Sequence, residues 1–337
     1  MAQHKIVYTA GAEPQTGLIK EGLTGLDYEL DLRICKSPGE TIEAAKGANV
    51  IITSVPITSE VIESMEEVTA IFAPGHGYNS IDVDSATAKG IIVGNVAGGS
   101  TEEVSNHALL MLLACAKRLT VHHQNVREGR WYGNEFAGIP EMPTIDGEVL
   151  GLVSFGSIAR ATARKAKAFG LTILAYDPYV APWIAKDYGV ELVSELNEIA
   201  ARSDFVSIHT PLNDMTNKLI GKSFFNAMKS SANLINTARG EVIDETAMIK
   251  ALQDGEIAGA GLDVFEQEPV SPNNPLLKME NVIVTPHFAA ASSISHPTFQ
   301  IRLGQEISRI LNGTWPMSMV NPEVRAHIPM RPPATNL

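Results

Sequence analysis

Short apolar runs recur through the first third of the chain, and stretches of mixed polarity separate them. The runs are strand candidates, with the sequences HKIVYTA, ANVIITSV, VTAIFAPG and GIIVGNVA. The stretches between them fit helices at residues 14–24, 39–47, 57–65 and 82–89. Strands that alternate with helices are typical of βαβ units, so this part of the chain is predicted to form a parallel sheet.

A long helix is predicted next. Ser100 followed by Glu103 has the spacing of a capping box, which marks the start of a helix. An apolar stripe at helical spacing follows, made of Val104, Ala108, Met111, Leu112 and Cys115. We expect this helix to run past Leu119, either as an ordinary core helix or as a link between two domains that also offers a dimer face.

A second series of strand candidates begins near residue 148. Their sequences are VLGLVS, TILAYD, FVSIHT, ANLINT, IAGAGLDV and NVIVTP. A last helix is predicted at 297–311, whereas the stretch 129–147 and the Pro-rich tail NPEVRAHIPMRPPATNL have the composition of irregular segments. The pattern therefore predicts two sets of βα units along the chain.

Three ionisable residues stand at the carboxyl ends of apolar runs in the second series: Arg239, Glu268 and His287. Open α/β sheets bind ligands outside the carboxyl ends of their strands. Arginine grips a carboxylate with two hydrogen bonds, histidine carries protons near neutral pH, and a carboxylate can orient the imidazole. Together they predict chemistry on a small carboxylic acid with an exchangeable proton.

A dinucleotide site is predicted at residues 148–177, where the sequence predicts a strand, a tight turn, a helix, a second strand and an acidic residue. The turn Ser154-Phe155-Gly156-Ser157-Ile158-Ala159 is a small-residue variant of the G-x-G-x-x-G fingerprint. Gly156 would let the backbone approach a pyrophosphate, and the first N–H groups of the helix would meet that anion. Asp177 would bind the adenosine ribose and repel a 2′-phosphate, which favours NAD over NADP.

Composition narrows the function classes further. The 337 residues carry a formal net charge of −12, which disfavours a general binder of nucleic acids or anionic membranes. Cys35 and Cys115 are the only cysteines, and no HExxH motif occurs, so we expect neither a disulfide framework nor a metal site. The first residues contain no signal-peptide core, and the longest apolar stretch is too short to span a bilayer, so a cytoplasmic location is expected.

Four segments resemble the D-isomer-specific 2-hydroxyacid dehydrogenases. They are LGLVSFGSIARATARKAKAFGLTILAYDPY, HTPLNDMTNKLIG, NLINTARGEVIDETAMIKALQDGEIAGAGLDVFEQEP and NVIVTPH. The resemblance implies an α/β protein with two Rossmann-like or flavodoxin-like domains, parallel sheets and a cleft between them. Residues 1–99 with 296–337 would form the substrate domain, and 100–295 the NAD-binding domain. It also implies a homodimer formed around the cofactor domains.

The resemblance also implies roles for individual residues. Arg239 would bind the substrate carboxylate, Glu268 would partner the histidine, and His287 would be the acid/base. Spacing alone cannot choose between Glu266 and Glu268, but the family pattern points to Glu268. The implied cofactor positions are Gly156, Ser157, Ile158, Asp177, His209, Thr210, Pro211, Thr237, Ala238, Arg239, Asp263, His287 and Ala289.

The segment GHGYNSIDVD looks like the family's substrate loop, in which His76 and Gly77 would bind substrate beside Arg239 and His287. The chain departs from the family pattern at several positions. Ser154 and Ala159 stand where the family has glycine, Ser157 where it often has arginine, and His76 where an apolar residue is more common. His76 could recognise a second polar group of the substrate or could be a solvated loop residue.

The leading interpretation is an NAD-dependent enzyme that interconverts a small D-2-hydroxyacid and its 2-oxoacid. One alternative is a phosphoglycerate or phosphoerythronate dehydrogenase, which would need a basic cluster for the phosphate. The other is an NAD(H)-sensing interaction protein like the C-terminal binding protein corepressors, which resemble the same family.

Overall fold

The structure, a computed structural model, describes residues 3–131 and 142–332. The chain divides into two compact units, Met1–Ser100 with Ser292–Leu337, and Thr101–Ala291. The sequence analysis placed the boundaries between the two domains after residues 99 and 295. Each unit contains a parallel sheet with helices packed on its faces, so the predicted α/β class with two parallel sheets is confirmed.

The first unit is built on a five-stranded sheet in the order β2-β1-β3-β4-β5, which is the flavodoxin-like order. Its strands are β1 (His4–Ala10), β2 (Tyr28–Ile34), β3 (Val50–Thr53), β4 (Ala70–Phe72) and β5 (Ile92–Gly94). Its helices are α1 (Ile19–Gly22), α2 (Pro38–Ala45), α3 (Ser59–Glu63), α4 (Val83–Ala88) and α12 (Ser295–Leu311). Four of these strands are the predicted apolar runs.

Packing explains why the end of the chain returns to the first unit. A Cβ added at Gly22 would lie 2.3 Å from the carbonyl oxygen of Ile301, and one added at Gly304 would lie 2.2 Å from that of Ile19. Helices α1 and α12 therefore cross backbone against backbone, which requires glycine on both sides. Leu303 and Ile307 of α12 are buried in the same core as β1.

The second unit is built on a seven-stranded sheet in the order β12-β11-β10-β9-β6-β7-β8. Its strands are β6 (Val149–Val153), β7 (Thr172–Tyr176), β8 (Glu191–Val193), β9 (Phe205–Ile208), β10 (Asn233–Asn236), β11 (Gly259–Leu262) and β12 (Val282–Val284). Its helices are α5 (Thr101–Ala116), α6 (Leu119–Arg127), α7 (Ser157–Lys167), α8 (Pro182–Asp187), α9 (Leu196–Arg202), α10 (Lys222–Ala227) and α11 (Glu245–Gln253). The strand order reverses at β6, and such a switch point is where open α/β sheets bind ligands.

The expectation of one helix running past Leu119 is wrong. Helix α5 ends at Ala116, and α6 begins at Leu119. Arg118 between them has a left-handed backbone with φ of 45°. Its N–H donates to the carbonyl of Cys115, three residues back, which tightens the last turn and ends the regular pattern of α5.

Candidate active site

The three ionisable residues predicted to meet lie in loops after neighbouring strands of the second unit. Arg239 follows β10, Glu268 follows β11, and His287 follows β12. These strands are adjacent and parallel, so their carboxyl ends form one edge of the sheet. The topology therefore delivers all three loops to the same edge.

His287 and Glu268 are in direct contact. Nδ1 of the imidazole lies 2.7 Å from Oε2 of the carboxylate, and the two side chains are 48% and 37% exposed. The other oxygen, Oε1, accepts the N–H of Phe265 at 3.1 Å. Partial burial alone would raise the pKa of Glu268, but the hydrogen bonds from His287 and Phe265 and the charge of Arg239 outweigh it, so the pKa is lowered. Glu268 is thus held as an anion beside the imidazole.

The backbone of His287 has the left-handed conformation with φ of 55°, and Asp263 stabilises the turn around it. The buried Asp263 carboxylate accepts the N–H groups of Phe288 and Ala289, each at 2.8 Å, and the hydroxyl of Thr285. The Asp263 carbonyl accepts the His287 N–H at 2.7 Å. One buried anion therefore holds the whole turn that carries the imidazole.

Helix α5 supports the same turn. Nε2 of His107 lies 3.0 Å from the Thr285 hydroxyl and 3.5 Å from Oδ1 of Asp263. The sequence analysis did not identify this contact. The distance of 178 residues between His107 and Thr285 left no local signal.

Arg239 is half-buried in a turn that Asn236 shapes. The amide of the buried Asn236 donates to the Arg239 carbonyl at 2.8 Å and accepts the Ala238 N–H at 3.0 Å. Burial lowers the pKa of Arg239, while the nearby charges of Glu241 and Glu268 raise it, and the net shift is downward. Arginine nevertheless stays protonated at neutral pH, so a fixed cation lies within electrostatic reach of Glu268.

The structure shows that Glu266 and Glu268, which sequence spacing could not tell apart, have different partners. Glu268 faces His287, whereas Glu266 forms an ion pair with Lys218 at 2.9 Å. The Glu266 N–H donates to the carboxylate of Glu245 at 3.1 Å. Glu266 therefore helps to anchor the loop, and Glu268 is the carboxylate that contacts the imidazole.

The turn after β6 has the features that a dinucleotide pyrophosphate needs. A Cβ added at Gly156 would meet no atom within 4 Å, so open space lies above this residue. Ser157 and Ile158 begin α7, and the first N–H groups of a helix have no partner within the helix. Ala159 is fully buried, which lets α7 pack closely on the sheet. These residues fit a bound pyrophosphate.

Asp177, the residue directly after β7, accepts hydrogen bonds on both of its carboxylate oxygens. Oδ2 accepts the Phe155 N–H at 2.8 Å and the Ser154 hydroxyl at 3.2 Å. Oδ1 accepts the Tyr179 N–H at 2.9 Å. The hydroxyl of Ser154 was not recognised as a partner of Asp177 from the sequence, although the alignment of the two strand ends could have suggested it.

The remaining predicted cofactor positions follow β9 and β10. The His209 N–H and the Thr210 hydroxyl donate to the Val153 carbonyl at 2.9 and 3.2 Å. Burial lowers the pKa of His209 to about 4, so its ring is neutral at pH 7. Among the residues that the structure describes, Thr237 is 8% exposed and its buried hydroxyl has no hydrogen-bond partner. Such a hydroxyl is suited to a ligand that supplies the missing bond.

The predicted substrate loop lies in the first unit, after β4. The carbonyl of His76 accepts the side-chain amide of Asn95 at 2.7 Å, and that of Gly75 accepts the Val96 N–H at 2.9 Å. These bonds fix the loop to the segment after β5, and His76 and Gly77 are both half-buried. Most of the irregular stretch predicted at 129–147 lies outside the described residues.

No metal-ligand cluster of three or more His, Cys, Asp or Glu is found within 3–131 and 142–332. In the same part of the chain, none of the helices combines the length and the apolar character needed to cross a membrane.

Known proteins resemble this chain in sequence and in fold. Residues 109–289 match the sequence model of the D-isomer specific 2-hydroxyacid dehydrogenase NAD binding domain. The chain belongs to the D-isomer-specific 2-hydroxyacid dehydrogenase family. It is accordingly an NAD-dependent oxidoreductase, and its reaction is the interconversion of a 2-hydroxyacid and a 2-oxoacid.

Two relatives and one solved structure illustrate the similarity. A glyoxylate reductase of Korarchaeum cryptofilum is 39% identical over 324 residues, which cover 93% of this chain and 96% of that protein. A D-3-phosphoglycerate dehydrogenase of Methanocaldococcus jannaschii is 37% identical over 284 residues, 84% of this chain but 53% of that protein. The crystal structure of a glyoxylate reductase from Paecilomyes thermophila has 27% identity and a TM-score of 0.84, with 95% and 99% of the two chains covered.

Proposed function

We propose that the protein interconverts a small D-2-hydroxyacid and its 2-oxoacid, with His287 as the acid/base. The observation that carries the proposal is the contact of 2.7 Å between Nδ1 of His287 and the carboxylate of Glu268. Because Nδ1 faces this anion, it is the nitrogen that keeps its proton, and Nε2 is left to exchange a proton with substrate.

Arg239 binds and orients the substrate in this proposal. Its guanidinium forms two hydrogen bonds to the α-carboxylate of a 2-oxoacid and stabilises charge on the C2 oxygen. The half-buried position of Arg239 strengthens that interaction, because fewer water molecules screen it. The Asn236 contacts hold the backbone from which the guanidinium extends.

When bound, NADH supplies the hydride that reduces C2 of the 2-oxoacid. As C2 gains the hydride, its oxygen becomes negative, and His287 donates the Nε2 proton to that oxygen. Glu268 stabilises the imidazolium before the transfer and holds the ring in place after it. In the oxidation direction, neutral His287 accepts the hydroxyl proton at Nε2.

The cofactor positions of this proposal are those along the switch point of the second sheet. Ser157 and Ile158 would hold the pyrophosphate through their N–H groups, and Asp177 would accept the ribose hydroxyls. The hydroxyl of Thr237 would gain the partner that it lacks within the described residues. His209, Thr210, Pro211, Ala238, Asp263 and Ala289 would complete the surface.

A screen of substrates tests the proposal. Purified protein is mixed with NADH and, separately, glyoxylate, hydroxypyruvate, pyruvate or a branched 2-oxoacid, and NADH consumption is followed. We expect turnover with at least one of these acids, and loss of that turnover in His287→Ala but not in His327→Ala, an exposed histidine outside the site. Tight NADH binding without turnover of any acid would contradict the proposal and would favour the alternative of an NAD(H)-sensing interaction protein.

The phosphorylated-substrate alternative is supported by the D-3-phosphoglycerate dehydrogenase relative, but this chain spans only about half of that protein's length. The 75–79 loop, GHGYN, contains no lysine or arginine for a phosphate. Adding 3-phosphohydroxypyruvate to the screen separates the two substrates, and we expect the unphosphorylated acids to react faster.

We also propose that the protein is a cytoplasmic homodimer. Leu110 on α5 and Leu119 and Val126 on α6 are each more than half exposed. Large apolar side chains grouped on neighbouring helices are suited to a partner surface. Light scattering at micromolar concentration measures the molar mass and so tests the proposed dimer. The mass of a monomer would contradict it.

A further inference from the structure

The turn between β6 and α7 contains an unusual backbone position. Ser154 has φ of 75°, in the left-handed region that glycine adopts readily and other residues rarely do. Most of the described left-handed positions in this protein are occupied by glycine. Ser154 holds this conformation immediately after β6, where its N–H donates to the Tyr176 carbonyl at 2.8 Å.

This backbone places the Ser154 side chain against Asp177. The Ser154 hydroxyl lies 3.2 Å from Oδ2 of Asp177, and the same oxygen accepts the Phe155 N–H at 2.8 Å. The Tyr179 N–H holds Oδ1 at 2.9 Å. Two backbone groups and one hydroxyl therefore fix the carboxylate, and the hydroxyl is the one donor that a glycine at position 154 would not supply.

We propose that Ser154 is a positioning residue for cofactor selection, whose hydroxyl holds Asp177 in place and so excludes dinucleotides with a 2′-phosphate. The inference rests on the proposed role of Asp177 at the adenosine ribose. It deepens that role by assigning part of the selectivity to a side chain that need not contact the cofactor.

The physical reason is that a carboxylate discriminates only while it stays in position. A fixed carboxylate accepts hydrogen bonds from ribose hydroxyls, but it repels a phosphate, which carries roughly −1.5 to −2 charges at pH 7. If Asp177 could swing aside, the phosphate would enter at little cost. Each donor on the carboxylate adds to the cost of that movement, since the hydrogen bond must be broken first.

The neighbouring sequence offers no compensating cation. Residues 177–181 are DPYVA, without the lysine or arginine that would pair with a 2′-phosphate. Tyr179 is largely exposed and contributes its backbone N–H to Asp177. Selection in this loop therefore depends on the negative charge of Asp177 and on how firmly that charge is held.

Two substitutions separate the hydroxyl from the backbone conformation. Ser154→Ala removes the hydroxyl and keeps a Cβ in the left-handed region, whereas Ser154→Gly removes the hydroxyl and relieves the backbone. Dissociation constants for NADH and NADPH are measured by fluorescence titration without substrate, and stability by denaturant unfolding. The control is Ser194→Ala, which removes an exposed hydroxyl that contacts Glu198.

If the proposal is correct, the ratio Kd(NADPH)/Kd(NADH) falls about 3- to 10-fold in both variants, the size expected for one hydrogen bond. Stability should differ between them, with Ser154→Gly the more stable. An unchanged ratio in both variants overturns the proposal. A ratio that changes only in Ser154→Ala also overturns it, because the effect would then follow the backbone and not the hydroxyl.

A double-mutant cycle distinguishes failure of this inference from failure of the proposed cofactor role. Asp177→Asn should lower the ratio more than either serine variant does, and Ser154→Ala should have no further effect in that background. An Asp177→Asn protein that still binds NADH far better than NADPH would show that Asp177 does not select the cofactor. A further drop on adding Ser154→Ala would show that the serine acts by another route, which contradicts the proposal.

Discussion

Gly240 lies so close to Phe265 that a Cβ at Gly240 would fall 1.9 Å from the Phe265 carbonyl carbon and 2.0 Å from its oxygen. The residue after Arg239 thus touches the loop that leads to Glu268, backbone against backbone. No side chain fits there unless one loop moves. The absence of a side chain at Gly240 therefore sets the spacing between the loops of the guanidinium and the carboxylate.

Gly240→Ala should consequently damage activity more than an ordinary surface change does. Displacing reacting groups by about 1 Å can cost about 10²-fold in rate, and overpacking costs about 1–3 kcal/mol of stability. We expect kcat/KM to fall by about that factor and the free energy of unfolding to drop. Gly39→Ala is the control, because a Cβ there meets nothing within 4 Å. Equal kinetics for both variants would contradict this account of the loop contact.

Glu268→Gln and Glu266→Gln form a matched pair that lies two residues apart in one loop. Glu268 contacts His287, whereas Glu266 pairs with Lys218. Replacing the partner of an acid/base should cost about 10²-fold in kcat, at the lower end of what such catalysis contributes. Loss of a partly exposed ion pair should cost about 0–1 kcal/mol of stability and little activity. Steady-state kinetics on both variants test this, and equal losses would refute the assignment of Glu268.

Asp263→Asn should destabilise the turn that carries His287. An asparagine would present an N–H₂ group toward backbone N–H groups that the carboxylate now accepts. Buried hydrogen bonds to a charged group contribute about 1.5–3 kcal/mol each, so we expect unfolding at clearly lower urea concentration and slower catalysis. Asp254→Asn, which breaks an exposed pair with Lys250, is the control. A stability loss no larger than that of the control would contradict the role given to Asp263.

His209 should make the folded state sensitive to acid. Burial lowers the pKa of His209 from 6.5 to about 4. Between pH 6.5 and about pH 4, the imidazole is therefore protonated in the unfolded chain but neutral in the folded protein. The stabilisation is complete above pH 6.5 and is lost as the pH falls through about 4. In His209→Gln, the unfolding free energy should therefore decline less steeply over this window, by about one proton. An unchanged slope in His209→Gln would contradict the expectation.

The apolar pattern was sufficient to predict the strands that lie inside the two sheets, because buried parallel strands such as β4 (AIF) and β6 (VLGLV) are continuous apolar runs. It missed two edge strands: β2, YELDLRI, in which charged and apolar residues alternate, and β8, the three-residue strand ELV. It also missed the break at Arg118, since a left-handed backbone at a non-glycine residue has no compositional signature. Both failures concern positions where tertiary context decides the backbone.

In the candidate site, too, some features could be predicted from the sequence and others depend on tertiary contacts. The ends of adjacent strands were enough to predict that Arg239, Glu268 and His287 approach one edge. Spacing could not choose between Glu266 and Glu268, because the choice depends on Lys218, which lies between β9 and α10, and on Glu245, which begins α11. The contacts of Ser154 with Asp177 and of His107 with Thr285 likewise depend on three-dimensional proximity between residues far apart in the chain.

In the proposed reaction, His287 donates and accepts the substrate proton, and the most direct test of this role is the single-turnover rate of NADH oxidation by a reactive 2-oxoacid. The rate and the NADH dissociation constant are measured for the wild type and His287→Gln. We expect the rate to fall about 10²- to 10⁴-fold, the contribution of general acid catalysis, while NADH binding stays nearly unchanged. A His287→Gln protein that transfers hydride at close to the wild-type rate would contradict the claim.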